Sequence, residues 1–301
     1  MVHSRCPVPG KLDLHHHSGG SLLSLNEDMP HYSIDSERHK MSNEQEIKFE
    51  DGDSYEQWMG VWSQLIGDQF LEWLSPQPGK VWVDIGCGNG TFTEQIHNAH
   101  SPAEIQGIDP SPEQIDFALK RLTDPSVAFQ LGDAMNLPFE SDHFDYATMA
   151  LVLFFVPDPA VGVAEMIRVA KPGGNISAYV WDVLGGGAPM ANILDQFNVL
   201  EIDHPYPPSS EVSRIERLEE TWLEAGLQDI ETKQISVQRT YENFAHYWDL
   251  TSRSANVSPI LNQLSPDISE RVKKMTHDSL GIDDDESITV DAFANAVKGT
   301  V

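Results

Sequence analysis

The chain is poor in cysteine and in positive charge, and it has no long apolar run. Only Cys6 and Cys87 occur among 301 residues. Two distant thiols imply no disulfide framework and point to a reducing cytoplasm. Nineteen Lys and Arg side chains face 47 Asp and Glu, a formal net charge of -28. A field of that sign repels phosphate backbones and anionic lipid surfaces, which argues against nucleic-acid and membrane partners. It describes a solvated acidic surface and names no ligand. The longest apolar run, ALVLFFV at 150–156, is far too short to span a bilayer, and the N-terminus lacks the apolar core of a signal peptide. The expectation is therefore a soluble, cytoplasmic protein. With 40% hydrophobic residues the chain can bury one large domain, or one domain with a small appendage. Its oligomeric state is left open.

Residues 1–45 mix Gly, Ser, Pro, His and charges without a sustained apolar period and read as a disordered leader, in which Met41 is a candidate start. The triplet His15, His16, His17 lacks fixed geometry and partner ligands, so no metal site is expected. Residues 46–301 read as the folded domain.

Strand and helix signals alternate through that domain. SYEQWMGVWSQLIGDQFLEWL, from 54, sets Trp58, Trp62, Leu65, Ile66, Phe70 and Leu74 near helical spacing, and Pro76, Pro78 and Gly79 close the segment. A strand follows at 80–85, then a helix, TFTEQIHNAH, with Phe92, Ile96 and Ala99 inward, and a second strand, EIQGID. In SPEQIDFALKRL, Ser111 is an N-cap, Pro112 a first-turn proline and Gln114 a capping-box partner. VAFQLGD reads as a third strand and FDYATMALVLFF as a long fourth, buried on both faces. GVAEMIRVAKPGG is a helix closed by a Pro-Gly-Gly turn, and NISAYVWD is a fifth strand. Farther on, SRIERLEETWLEAG places Ile215, Leu218, Trp222 and Leu223 on one helical face, with IETKQISVQRT and SITVDAFANAV as strands. This order implies an α/β fold with a doubly wound, mostly parallel sheet and ligands at the strand carboxyl ends.

The chemistry centres on VWVDIGCGNGTF. Asp84, Gly86, Gly88 and Gly90 alternate with other residues where a strand turns into a helix, so the backbone can take positive φ and admit a ligand closely. A dinucleotide fingerprint wants G-x-G-x-x-G, but here the third glycine comes one residue early and Thr91 stands in its place. Asp109 ends the second strand, 25 residues after Asp84, where a carboxylate can accept hydrogen bonds from two ribose hydroxyls. Asp133 ends the third strand and can accept from an adenine amino group. Three readings stand at this point: a dinucleotide site, an S-adenosylmethionine site, or a plain structural turn.

Taken together, VDIGCGNGTF, GIDPS, GDAMNLPF and FDYATMALVLFFVPDPAVGVAEMIRVAKPGG, in that order over 54–182, resemble class I S-adenosylmethionine-dependent methyltransferases of the type 11-like, small-molecule group. The resemblance implies a seven-stranded Rossmann-like sheet whose last strand lies antiparallel to its neighbours, with 54–182 as the cofactor-binding core. It implies S-adenosyl-L-methionine as cofactor, with Gly86, Gly88 and Gly90 against the methionine part, aided by Asp84 and Cys87. Asp109, followed by Pro110, binds ribose, Asp133 and Ala134 border adenine, and Ala150 offers backbone contacts near the cofactor.

Methyl transfer from a sulfonium is an in-line displacement that needs chiefly alignment and dryness. Residues 183–210 and 241–285 read as a helical cap and substrate segments over the strand ends. His204 and Tyr206 in DHPYPP are the candidate base or substrate contacts. Tyr55 and Trp58 precede the core, where a helix can fold over the cofactor. The leading expectation is a methyltransferase acting on a small organic molecule. The rivals are a non-catalytic nucleoside-binding protein of the same fold and, on weaker grounds, an NAD-dependent oxidoreductase.

Overall fold

The computed structural model describes residues 59–281, 283 and 286–301. The leader expected over 1–45, the histidine triplet, Tyr55 and Trp58 lie outside the described residues. The first helix, α1 (Val61–Leu74), buries Trp62, Ile66, Phe70 and Leu74, a stripe spaced by four residues that lies on one face. After it come β1 (Val81–Ile85), α2 (Thr91–His100), β2 (Glu104–Asp109), α3 (Pro112–Arg121), β3 (Val127–Leu131) and β4 (Phe144–Ala150). The Ser111 hydroxyl accepts the Gln114 N–H at 3.2 Å and Pro112 opens α3, so this helix starts as its sequence specifies. The second half runs α4 (Pro159–Val169), β5 (Ala170–Trp181), α5 (Ala191–Val199), α6 (Ile215–Glu224), β6 (Gln228–Tyr241), α7 (Phe244–Ser252), α8 (Ser258–Leu261), α9 (Pro266–Leu280) and β7 (Ile288–Thr300).

The strands form one seven-stranded sheet in the order β3-β2-β1-β4-β5-β7-β6. The first five strands pair in parallel. The last, β7, slots between β5 and β6 and runs antiparallel to both. This is the expected doubly wound, mostly parallel sheet with an antiparallel last strand. The pairing directions put the carboxyl ends of β1 to β6 and the amino end of β7 along one edge. The segments that follow β5 and β6 therefore both leave from that edge.

Hydrophobic cores cover both faces of the sheet. One joins α1, through Trp62 and Phe70, to Tyr179 and Trp181 of β5, Phe197 of α5, and Tyr241 and Tyr247. The other places Val163 and Met166 of α4 and Leu218 and Trp222 of α6 against Val83, Ile85 and Ile176. Burial on both faces explains the near-continuous apolar sequence of the central strands.

Three local expectations differ from the structure. The fourth strand stops at Ala150 rather than continuing to Phe155, because Leu151 takes φ +61° and a 3₁₀ turn, Leu153–Phe155, follows. Leu153 and Phe154 are buried in that turn, so their apolar character reflects core packing rather than extended backbone. Ala99 and Leu223, expected inward, are both exposed, and Thr93 and Thr221 are buried on the same helices instead. The Pro-Gly-Gly piece does not close α4. It falls in a bulge of β5, where pairing with β4 jumps from Ala170 to Asn175.

Candidate functional site

The carboxyl edge of β1 is built by backbone geometry. Gly86, Gly88 and Gly90 have φ of +74°, +52° and +83°. Two of these glycines answer to the protein's own packing. A Cβ at Gly86 would lie 2.5 Å from Val152 Cγ2, and one at Gly90 would lie 3.1 Å from Ala118 Cβ. Gly88 differs: the nearest atom to an added Cβ is Gln114 Oε1 at 3.7 Å, an ordinary contact, so packing alone does not exclude a side chain there. Both the Gly86 and Cys87 N–H groups donate to Ile108 O at 2.8 Å, which ties the loop to the end of β2.

Asp109 is the node of the site. One carboxylate oxygen accepts the Gly88 N–H at 3.0 Å and the other accepts the Ser111 N–H at 2.9 Å. Its own carbonyl takes the Gly132 N–H at 3.1 Å, which links β2 to the turn after β3. Burial holds the Asp109 carboxyl above the usual range, against the lowering effect of the Ser111 and Gly88 N–H groups. The adjacent Pro110 is exposed.

Asp84, the last polar residue of β1, is 0% exposed. One oxygen accepts the Thr93 hydroxyl at 2.6 Å, and the other has no hydrogen-bond partner among the described residues. Burial pushes its pKa up to about 7; the Thr93 hydrogen bond opposes the rise and the Asp109 charge adds to it. An unsatisfied buried carboxylate oxygen is costly and marks a place that a cationic or N–H-bearing ligand would complete. Thr93 gave no signal in the sequence, where it stands among ordinary helix residues.

The other expected residues fall as follows. Cys87 is buried with its sulfur against Gly107, 3.1 Å from where a Cβ there would stand, and burial holds its thiol well above the usual range. The side chain thus belongs to the sheet packing and leaves only its backbone near the loop. Asp133 is exposed and accepts the Met135 N–H at 2.9 Å, closing a turn that carries half-buried Ala134. Ala150 ends β4 beside Tyr179, and Leu151 N–H donates to Tyr179 O at 2.8 Å. Because Val152 lies against Gly86, the end of β4 is brought to the glycine loop.

His204 and Tyr206 follow α5 on the segment that leaves the carboxyl edge. Their rings lie 4.9 Å apart, and His204 Nε2 is 3.1 Å from Asn198 Oδ1. Burial lowers the His204 pKa, opposed by Asp203, so the imidazole is kept neutral. Burial raises the Tyr206 pKa, against a hydrogen bond with Asn198. Asn198 thus holds both candidates. Three residues beyond Tyr206, Ser209 Oγ donates to Val156 O at 2.7 Å and its N–H to Phe154 O at 3.0 Å. These bonds strap the segment to the turn after β4. Neither Ser209 nor Asn198 was singled out in the sequence, because a loop serine or asparagine carries no distinguishing pattern.

Comparison with known proteins agrees with this geometry. Residues 83–178 match the family model described as a methyltransferase domain. A demethylmenaquinone methyltransferase of Staphylococcus aureus is 35% identical over 118 residues, 38% of this chain and 47% of that protein. A 37.1 kDa protein of Streptomyces fradiae transposon TN4556 is 40% identical over 108 residues, so the chain spans less than half the length of these curated relatives, 31% and 47%. Among solved structures, a chain from the complex of the Haloferax volcanii Trm112 methyltransferase activator with its methyltransferase superposes with TM-score 0.53 at 18% identity. That superposition covers 83% of this chain and 94% of the other. Haemonchus contortus phosphoethanolamine N-methyltransferase 2, solved with S-adenosylhomocysteine, gives TM-score 0.53 at 20% identity over 82% of this chain and 56% of that one. Residues 83–178 of this chain thus match a methyltransferase domain, carried on a seven-stranded sheet of order β3-β2-β1-β4-β5-β7-β6.

Proposed function

We propose that the protein transfers a methyl group from S-adenosyl-L-methionine to a small organic acceptor by in-line displacement. The single observation that carries this reading is the hydrogen bond from the Gly88 N–H, in a positive-φ glycine turn, to Asp109 at the carboxyl edge of the sheet. That contact fixes a carboxylate beside the backbone of the loop. The residues fit the group on a second count: Asp84 presents a buried oxygen without a partner among the described residues, suited to an ammonium. When bound, the sulfonium supplies an activated methyl group.

This chain's own residues then bind and orient. Gly88 lets the methionine part lie against the backbone, and Asp84 takes its amino group. Asp109 accepts from the ribose hydroxyls, and Asp133 with Ala134 borders the base. Ala150 and the turn after it close the pocket floor. His204, neutral and held through Nε2 by Asn198, keeps Nδ1 free to accept a proton from an acceptor hydroxyl. The segments 183–210 and 241–281 shield the reacting atoms from water, which strengthens every electrostatic contact inside. The acidic surface suits an uncharged or cationic metabolite better than a nucleic acid.

The demethylmenaquinone methyltransferase relative supports a small-molecule acceptor. The test is incubation of the protein with methyl-labelled S-adenosylmethionine and metabolite extracts, followed by mass identification of labelled products. A labelled small molecule made only with active protein supports the reading. Label appearing only in nucleic acid or protein, or nowhere, contradicts it.

A further inference from the structure

We propose that the methyl acceptor is a neutral planar ring bearing a hydrogen-bond-accepting oxygen, docked against Trp181 at the carboxyl edge of β5. The inference rests on the methyltransferase reading above and deepens it. Trp181 is the last residue of β5, two past Tyr179, which pairs with Ala150 at the end of β4. It therefore stands on the sheet edge shared with the glycine loop. Tyr241 ends β6 on that same edge, since β6 runs parallel to β5 with β7 between them.

Aromatic rings converge there. Trp62 and Trp181 meet edge to face with centroids 6.4 Å apart, and Tyr241 and Tyr247 meet edge to face at 5.2 Å. The two pairs are joined by the Trp62 indole N–H, which donates to the Tyr241 hydroxyl at 3.2 Å. Trp181, 3% exposed, differs from Trp62 in that its indole N–H is buried without an acceptor among the described residues. Buried indole N–H groups ordinarily find a partner, so this one marks where a ligand oxygen completes the wall. Trp82 also lacks an acceptor for its N–H among the described residues, but it lies near the amino end of β1, stacked on Tyr146 at 4.3 Å.

The chemistry of the wall selects the ligand. Aromatic faces favour a flat apolar body. An N–H donor needs a lone pair, which an ammonium head does not have. A carboxylate or phosphate would require a cation at the same place; the charge nearby, the Arg239 guanidinium, already lies 4.8 Å over the Tyr241 ring.

The experiment is isothermal titration of the full chain, first with S-adenosylhomocysteine and then, at saturation with it, with four naphthalene probes. These are 2-naphthol, naphthalene, 2-naphthoate and 2-naphthyltrimethylammonium. The inference expects 2-naphthol to bind at least about fivefold more tightly than the other three. Trp181→Phe should weaken 2-naphthol about five- to tenfold and leave naphthalene and S-adenosylhomocysteine unchanged. Equal binding of the charged probes, or of naphthalene, overturns it without any variant. Equal loss of 2-naphthol and naphthalene in Trp181→Phe also overturns it, by showing that Trp181 only packs. Binding of S-adenosylhomocysteine with no probe bound overturns the acceptor inference alone, whereas failure of S-adenosylhomocysteine to bind overturns the cofactor reading beneath it.

Discussion

At the residue scale, two carboxylates do different work because their surroundings differ. Asp109 is held by two backbone N–H groups and fixes the loop geometry. Replacing it with Ala frees the Gly88 and Ser111 N–H groups and, on the proposed function, removes the ribose acceptor. Affinity for S-adenosylhomocysteine, measured by titration calorimetry, should fall at least about tenfold. Asp84 sits at about pKa 7 against an ordinary value of 3.8 because it is buried. A raised folded-state pKa means that the native protein holds its proton where the unfolded chain has lost it. Its contribution to stability is thus complete below about pH 4 and is lost as pH rises to about 7. Asp84→Asn removes this slope, so the variant should gain a few kcal/mol relative to wild type between pH 4 and pH 8 in urea titrations of the ligand-free protein. It should also bind S-adenosylhomocysteine more weakly. Parallel stability profiles for the two proteins would place the Asp84 carboxyl outside a buried, ligand-seeking role. The spacing of Asp109 and the three glycines marks them as a candidate site with a plain turn among the readings, and the structure joins Gly88 to Asp109. Thr93, which supplies the only hydrogen bond that Asp84 receives among the described residues, was not, because long-range contacts between helix and strand leave no local pattern.

At the scale of elements, the sequence announced each strand of the sheet and the start of α3, since alternation, capping and proline placement are local signals. It overran β4, since burial makes strand and turn equally apolar and only the left-handed Leu151 separates them. It also placed Ala99 and Leu223 inward by helical periodicity, where packing chose Thr93 and Thr221. The strap after α5 reads in sequence only as part of a segment over the strand ends, with no sign of what holds it. Its attachment depends on Ser209 reaching two carbonyls more than fifty residues away in sequence. Ser209→Ala removes the hydroxyl bond to Val156 and should speed amide exchange over 203–210. S-adenosylhomocysteine affinity should stay within about twofold, because Ser209 bonds to the turn after β4 rather than to the glycine loop. Unchanged exchange would show that the segment is held by packing alone.

At the scale of the whole molecule, the sheet order gathers the glycine loop, Asp109 and the segments that leave β5 and β6 onto one edge. No helix of the described residues is long and apolar enough to cross a membrane. A ligand that binds only the native state stabilises it by about 2.7 kcal/mol at one hundred times its Kd, worth about 5 to 10 °C in a domain of this size. The most direct measurement is thermal unfolding of the full chain with saturating S-adenosylhomocysteine and, separately, with NAD. Stabilisation by S-adenosylhomocysteine of that size, with no change for NAD, is the predicted result. Equal stabilisation by NAD, or none by either, would contradict the assignment.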